Sequence, residues 1–357
     1  MDNIFLKFLA YCLDESKPVL PEFEYLDWHW LYTFGQQQAI PAILLSGINR
    51  YSKTLNKKLS IPQDLLYEWF GQTVVIENQN KLVNQRIKEL IAHLTDNGFK
   101  TCILKGQGNA AMYPHPILRS SGDIDVWLDA TKDEIAHFVH KSYPEIVIAD
   151  HHMDYPIFKD VEVEVHYYPS FSYNYRHNKR LQAFFNDNRD KQFQHVTKAG
   201  YATPTTLFNL VFQLSHMMRH FFTQGIGLRH AIDYYYLLQQ YITEDEKAAL
   251  IKTLKECGMY KFFRAIMWIE TNVLGLEKNT DIVAPQERAG KMVLHEMLKG
   301  GNFGHQYSRK MGGNVLLTYA HQLIYNMKYF IEFPVEPVSR PVYLVTEYVK
   351  RHYLSSK

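Results

Sequence analysis

The chain has 357 residues, 46% hydrophobic and 21% charged, values that allow two or three domains and exclude disorder as the general state. Lysine and arginine (39) against aspartate and glutamate (37) leave a formal charge of +2, too balanced for bulk binding to nucleic acid or a membrane surface. Three cysteines, Cys12, Cys102 and Cys257, with no CxxC pair, argue against a disulfide scaffold or a Cys-rich zinc site. They fit a reducing compartment. The N-terminus is a poor signal peptide and no stretch approaches 18 uncharged apolar residues, so the expected location is cytoplasmic.

Residues 1–98 read as a helical N-terminal region. Leu6, Leu9 and Leu13 follow helical spacing before Pro18 and Pro21. The pattern predicts further helices over Tyr25 to Phe34 and Ala39 to Tyr51. Ser60 to Gln63 looks like a capping box with proline inside the first turn, opening a long helix that Asn97-Gly98 ends.

Residues 99–200 change period and read as a small α+β core. Thr101 to Leu104 suits a buried strand, Gly106 to Met112 one or two helical turns, and Asp123 to Leu128 an alternating strand. Thr131 to Glu134 is a second capping box. Glu145 to Ala149, Tyr155 to Lys159 and Val161 to Tyr167 are three more strand candidates, the last two joined by a turn at Lys159-Asp160. The aromatic and basic run Tyr173, Tyr175, Arg176, His177, Lys179 and Arg180 reads as a loop, either solvated or touching nucleic acid or a phosphorylated acceptor.

Residues 201–357 read as a helical C-terminal domain. Thr203-Pro204 predicts an N-cap with proline at the first helical position, and the helix that follows is apolar nearly all round. Thr243 to Glu246 caps another helix that ends at Gly258. Gly300-Gly301-Asn302-Phe303-Gly304 and Gly312-Gly313 are loop signals, and Pro334, Pro337 and Pro341 mark an irregular segment before a last short helix.

The densest chemistry is Gly122-Asp123-Ile124-Asp125-Val126. Alternation puts both aspartates on one strand face, about 7 Å apart, where they can share a hard cation such as Mg²⁺. With 37 acids in 357 residues, about four acid-x-acid triplets arise by chance, so the triplet alone better describes a solvated strand edge. Val161-Glu162-Val163-Glu164-Val165-His166 adds weight: its valines face one way and Glu162, Glu164 and His166 the other. Beside the aspartate strand, one glutamate would complete a three-carboxylate site that repels itself unless a cation neutralises it. A charged outer hairpin face explains the same pattern. Leu104-Lys105-Gly106-Gln107-Gly108 runs from strand through glycine turn to helix, where Gly106 lets backbone N–H groups approach a phosphate and Lys105 can pair with it. Neither GxxxxGK[ST] nor GxGxxG is present.

Weaker constellations remain. His216 and His220 stand at i, i+4, as in a zinc pair, but HExxH is absent and buried, hydrogen-bonded histidines are the default. Arg229 and Asp233 stand at i, i+4 and suit a helix ion pair. His151 and His152 can face the candidate site or solvent. No GxSxG elbow supports a serine hydrolase.

The order Lys105-Gly106, Tyr113-Pro114, Leu118-Arg119-Ser120-Ser121-Gly122-Asp123-Ile124-Asp125, then Glu164-Val165-His166 resembles the bacterial uncharacterised nucleotidyltransferase family, of the polymerase-β-like superfamily. Leu214-Ser215-His216 to His220, Leu228-Arg229 and Asp233 are similar to its helical segment. The resemblance implies an α+β fold with a small mixed sheet between helical flanks. It implies transfer of a nucleoside monophosphate from an NTP to an acceptor (protein, sugar or small molecule), with pyrophosphate leaving and Mg²⁺ or Mn²⁺ as cofactor. Asp123, Asp125 and Glu164 become the catalytic metal ligands, Glu164 also drawing the acceptor proton. Lys105, Gly106, Gln107, Arg119 and Ser121 become nucleotide contacts, and Arg229 can face substrate. The family pattern, with its acid two residues before the histidine, selects Glu164 over Glu162. Gln107 departs from the serine or glycine usual after the motif glycine, and Arg119, Ser120 and Ser121 can supply phosphate contacts instead. The alternative is a non-catalytic binding protein or antitoxin-type partner.

Overall fold

The computed structural model describes residues 3–56, 59–302 and 323–349. Phe303-Gly304 and Gly312-Gly313 lie outside the described residues. The N-terminal helices are α1 (Asn3–Leu13), α2 (Trp28–Gln37), α3 (Pro41–Leu55) and α4 (Gln63–Asp96). Two start later than the spacing predicts, for local reasons. The Asp27 side chain accepts from the Trp30 amide and so caps α2. Ala39 has φ 57°, outside a right-handed helix, so α3 begins at Pro41. The box expected at Ser60 does not form: the cap residue of α4 is Pro62, with no side-chain bond. Gly98, at φ 86°, closes the far end in the left-handed conformation.

The middle of the chain contains β1 (Thr101–Ile103), α5 (Gln107–Ala110), β2 (Ile124–Leu128), α6 (Lys132–Ser142), β3 (His152–Asp154) and β4 (Val163–His166). The sheet order is β1-β2-β4-β3. β2 pairs antiparallel with β1 and parallel with β4, and β3 runs antiparallel to β4. Glu145 to Ala149 and Tyr155 to Lys159 are not strands. β3 takes the free edge of β4 instead, and the chain then turns back through the bond from Tyr155 N to Val163 O. The expected box at Thr131 does form and caps α6.

Helices return as α7 (Tyr175–Asp187), α8 (Arg189–Gln194), α9 (Thr206–Phe221), α10 (Leu228–Leu238), α11 (Glu244–Glu256), α12 (Tyr260–Asn272) and α13 (Glu287–Gly300), before a last helix, Glu336–Val349. The run expected as a loop is the start of α7, because the Asn174 side chain accepts from the amides of Arg176 and His177. α9 starts two residues late because Thr203 bonds to His195 through its amide. The last helix takes in Pro337 and Pro341, where an irregular segment was expected. The fold is thus α+β, a small mixed sheet flanked by helices.

Two cores hold it together. One joins α1–α3 and the first turns of α4 to α9–α13 through residues such as Phe8, Trp69, Phe212, Phe263 and Met297. The other seals one sheet face (Ile124, Val126, Val163, Val165) under the second half of α4 (Val83, Ile87, Leu90, Leu94) and α6. The opposite sheet face carries Asp125, Glu164 and His166, and with α9 and α10 it encloses a cavity. Among the described residues no helix is long and apolar enough to cross a membrane.

Candidate active site

The parallel pairing of β2 and β4 sets the site. In this register Asp125 is the partner of Glu164, and Trp127 that of His166. The β3–β4 pairing adds His152 opposite His166 and Asp154 opposite Glu164. One sheet face therefore collects carboxylates and imidazoles from three strands. Asp123 stands just before β2 and, with Asp125 and Glu164, lines the cavity. Glu162 is exposed, just before the first residue of β4.

Asp125 is buried, and two nitrogen donors hold it: Lys105 Nζ lies 2.7 Å from Oδ1 and His166 Nε2 3.0 Å from the same atom. His166 Nε2 is also 3.3 Å from Glu164 Oε2, and its Nδ1 is 3.3 Å from the Tyr168 carbonyl. His152 Nε2 is 3.5 Å from Glu164 Oε1. The carboxylates decide the charges here. Burial alone would lower the Lys105 pKa, but Asp125, Asp123 and Glu164 outweigh it and raise it. The same contest raises His166, through its bonds to Asp125 and Glu164. Burial would lift Glu164, yet the His166 bond and charge, with Lys105 and His152, hold it down at about 2. Asp123 moves up, chiefly because the charge of Asp125 repels its own.

Three groups of ligand-type side chains have all their ligand atoms within 4.8 Å: Asp125, Glu164 and His166; His152, Asp154 and Glu164; and His151, His152 and His166. Asp123 is in none of them. The first two offer two oxygens and one nitrogen each, and the third three nitrogens; donor sets of this kind suit a divalent cation.

Gly106 has φ 54°, a conformation that side-chain-bearing residues rarely adopt, and a Cβ there would meet the Asp123 carbonyl at 3.4 Å. The glycine so lets the turn before α5 pass close under the aspartate strand. Gln107 points the other way. Its amide bonds to Asn80 Oδ1 at 3.0 Å, in the interior against α4. Ser121 Oγ is buried with no hydrogen-bond partner among the described residues, and Ser121 is not in the cavity wall. Arg119 reaches the wall, but its guanidinium is spent on a bidentate pair with Asp233, both bonds 2.7 Å. Tyr113 Oη (2.5 Å) and Asn109 Nδ2 (3.2 Å) donate to the same carboxylate. Asp233 is thus paired across the site by Arg119, where a pair with Arg229 along the helix was expected. Arg229 donates to the Ser120 carbonyl at 3.1 Å.

The opposite wall comes from α9 and α10. Arg219 sits among three histidines, its Nη2 3.3 Å from His151 Nε2, 3.4 Å from His216 Nδ1 and 3.2 Å from His220 Nε2. Burial drives His151, His216 and His220 well below the ordinary histidine pKa, and takes His230 to about 3. They are neutral acceptors at physiological pH. His216 and His220 lie ring to ring at 4.1 Å, beside Arg219. Sequence reasoning passed over Arg219 and Asp154. The signal for Asp154 was present: His152-x-Asp154 repeats the i, i+2 spacing of ligand-type residues in Asp123-x-Asp125 and Glu164-x-His166.

A family model described as "Uncharacterised nucleotidyltransferase" matches residues 24–275, well over half the chain. No curated protein and no solved structure matches it.

Proposed function

The chain belongs to the uncharacterised nucleotidyltransferase family, and on that footing we propose that it transfers a nucleoside monophosphate from an NTP to an acceptor, with pyrophosphate leaving. The observation that carries this reading is the register of β2 against β4, which sets Asp125 opposite Glu164 on the wall of a cavity whose other charged side chains are mostly basic. Asp123, Asp125 and Glu164 would hold the Mg²⁺ or Mn²⁺ that such a transfer needs. A divalent cation supplies neutralisation of the triphosphate and polarisation of the attacking oxygen.

The chain's own groups do the rest by positioning. Glu164, with a pKa of about 2, stays ionised across the physiological range, as a cation ligand must. Lys105 carries a firmly held positive charge at the cavity wall and neutralises phosphate. Gly106 keeps the adjoining turn slim. Arg119 acts indirectly, by tying the loop before β2 to α10 through Asp233. These parts align charge, the main demand of phosphoryl chemistry.

One feature favours the non-catalytic alternative: Gln107, next to the motif glycine, is engaged in the interior and offers no side-chain contact to a phosphate. Incubation of the purified chain with each radiolabelled NTP, Mg²⁺ or Mn²⁺ and cell extract separates the two. A labelled acceptor that disappears with Asp125→Asn supports transfer. Tight Mg-NTP binding with no labelled product under any combination supports the binding protein.

A further inference from the structure

His166 has a more specific place in the site than a buried neighbour. It follows Glu164 by two residues, on the same face of β4, with 1% of its surface exposed. Its ring is held between His151 and His152, centroids 5.2 and 5.3 Å away. Nδ1 faces the Tyr168 carbonyl at 3.3 Å. A carbonyl accepts only from N–H, so this contact keeps a proton on Nδ1 and aims Nε2 at the two carboxylates. Metal-bound imidazoles are commonly anchored in this way: the nitrogen away from the ion donates to a backbone carbonyl or a carboxylate, which fixes tautomer and ring plane.

The distances agree with that role. First-row cations hold nitrogen and oxygen ligands at about 2.0–2.2 Å. Neighbouring ligand atoms then lie about 3.0 Å apart at octahedral angles and about 3.4 Å at tetrahedral ones. His166 Nε2 is 3.0 Å from Asp125 Oδ1 and 3.3 Å from Glu164 Oε2. All three residues belong to one group whose ligand atoms lie within 4.8 Å of one another. A cation can therefore take the place of the Nε2 proton without rotating the ring.

We infer that His166 Nε2 is a direct ligand of the ion at this site, alongside Asp125 and Glu164, and that the mixed nitrogen and oxygen set takes a borderline first-row cation, Mn²⁺, Co²⁺ or Zn²⁺, in preference to Mg²⁺. Magnesium favours all-oxygen surroundings and keeps its waters, whereas imidazole suits the later ions. The use of that ion in nucleotide transfer rests on the reading above; the ligand assignment does not. Lys105 also contacts Asp125 Oδ1, so its ammonium competes with the ion for that oxygen.

The test uses the full chain with one equivalent of Mn²⁺ and no nucleotide. Pulsed EPR reads ¹⁴N coupling from a directly bound imidazole, and the coupling changes to ¹⁵N when the histidines are labelled. We expect this signal in the wild type, in His151→Gln and in His152→Gln, and its loss in His166→Gln. Calorimetric titration should show Mn²⁺ binding at least tenfold tighter than Mg²⁺, with the ratio shrinking in His166→Gln. Lys105→Met should tighten Mn²⁺ several-fold. Binding without nitrogen coupling, coupling that survives in His166→Gln, coupling lost in His152→Gln or His151→Gln, or no Mn²⁺ binding each overturns the inference. If His166→Gln does not fold, the wild type and the His151 and His152 variants decide, since only His166 would then remain as the nitrogen source among the three. Because no nucleotide is present, nitrogen coupling in a chain that labels no acceptor sinks the transfer reading alone. Transfer by a chain whose ion has only oxygen ligands sinks the His166 assignment alone.

Discussion

Asp233→Asn tests the division of labour between holding the fold and holding a nucleotide. Asp233 is buried on α10 and accepts two 2.7 Å bonds from Arg119, plus one each from Tyr113 and Asn109. Asparagine keeps the volume, but it sets an NH₂ against one of the guanidinium donors and leaves Arg119 without its counter-charge. Arg229, whose pKa burial and then Arg119 push down, also feels the loss of the Asp233 charge. Breaking a buried pair by removing one partner costs about 3–5 kcal/mol. With unfolding entropy of about 2.1 cal/mol/K per residue, 357 residues give about 0.75 kcal/mol/K. The thermal midpoint should therefore fall by about 4–7 °C. Calorimetry at pH 7.5 measures it, with the double variant Arg119→Met, Asp233→Leu beside it. The double variant should recover most of the loss, because an apolar pair of similar volume is close to neutral. A midpoint within about 1 °C of wild type for Asp233→Asn would refute the reasoning. So would a double variant that is stable but has lost Mg-NTP affinity by orders of magnitude, since Arg119 would then be a phosphate ligand.

Three further outcomes follow from the geometry. Glu270 is wholly buried and neither carboxylate oxygen has a hydrogen-bond partner among the described residues; burial holds its pKa well above the ordinary 4.5. Above pH 4.5 the unfolded chain loses this proton and the folded chain keeps it, so stability falls as pH rises, by about 1.4 kcal/mol per unit, up to the folded pKa. Glu270→Gln should match wild type near pH 4 and gain on it as pH rises above 4.5, and denaturant melts that show a constant difference would contradict this. Asp125→Asn keeps an acceptor oxygen but removes the carboxylate charge that Lys105 and His166 share, and a hydrogen bond to a charged group is worth about 1.5–3 kcal/mol. By the same entropy the metal-free midpoint should drop by about 2–4 °C, and an unchanged or raised midpoint would show that repulsion from Asp123 and Glu164 dominates. At saturating Mn²⁺ and Mg²⁺, Glu164→Gln should cut NTP turnover by orders of magnitude and Glu162→Gln by less than about tenfold, because only Glu164 lies opposite Asp125. The reverse ranking would move the third carboxylate to Glu162.

Much of the chain is legible without its fold, because short-range periodicity and capping are local properties. The apolar wrap of α9, the boxes at Thr131 and Thr243, and the alternation that puts Asp125 and Glu164 on faces opposite the valines all follow from neighbours within a few residues. Local pattern misleads where a distant group intervenes. β3 forms at His152–Asp154, and not at Tyr155 to Lys159, because β4 has an edge to pair there. Thr203 does not cap α9 because His195 already holds it.

The character of the site belongs to the tertiary structure. From sequence, Asp125 and Glu164 are bare carboxylates that repel; in the fold, Lys105 and His166 stand against them. Arg119 looks like a phosphate contact until Asp233, 114 residues away, takes its guanidinium. Gln107 looks like part of the turn's outer face until Asn80 draws it inward. The reason is the same in each case. Which face of an element is polar depends on spacing along the chain, whereas which charge meets which depends on strand register and helix packing between segments well apart in the chain, and no local pattern encodes that pairing.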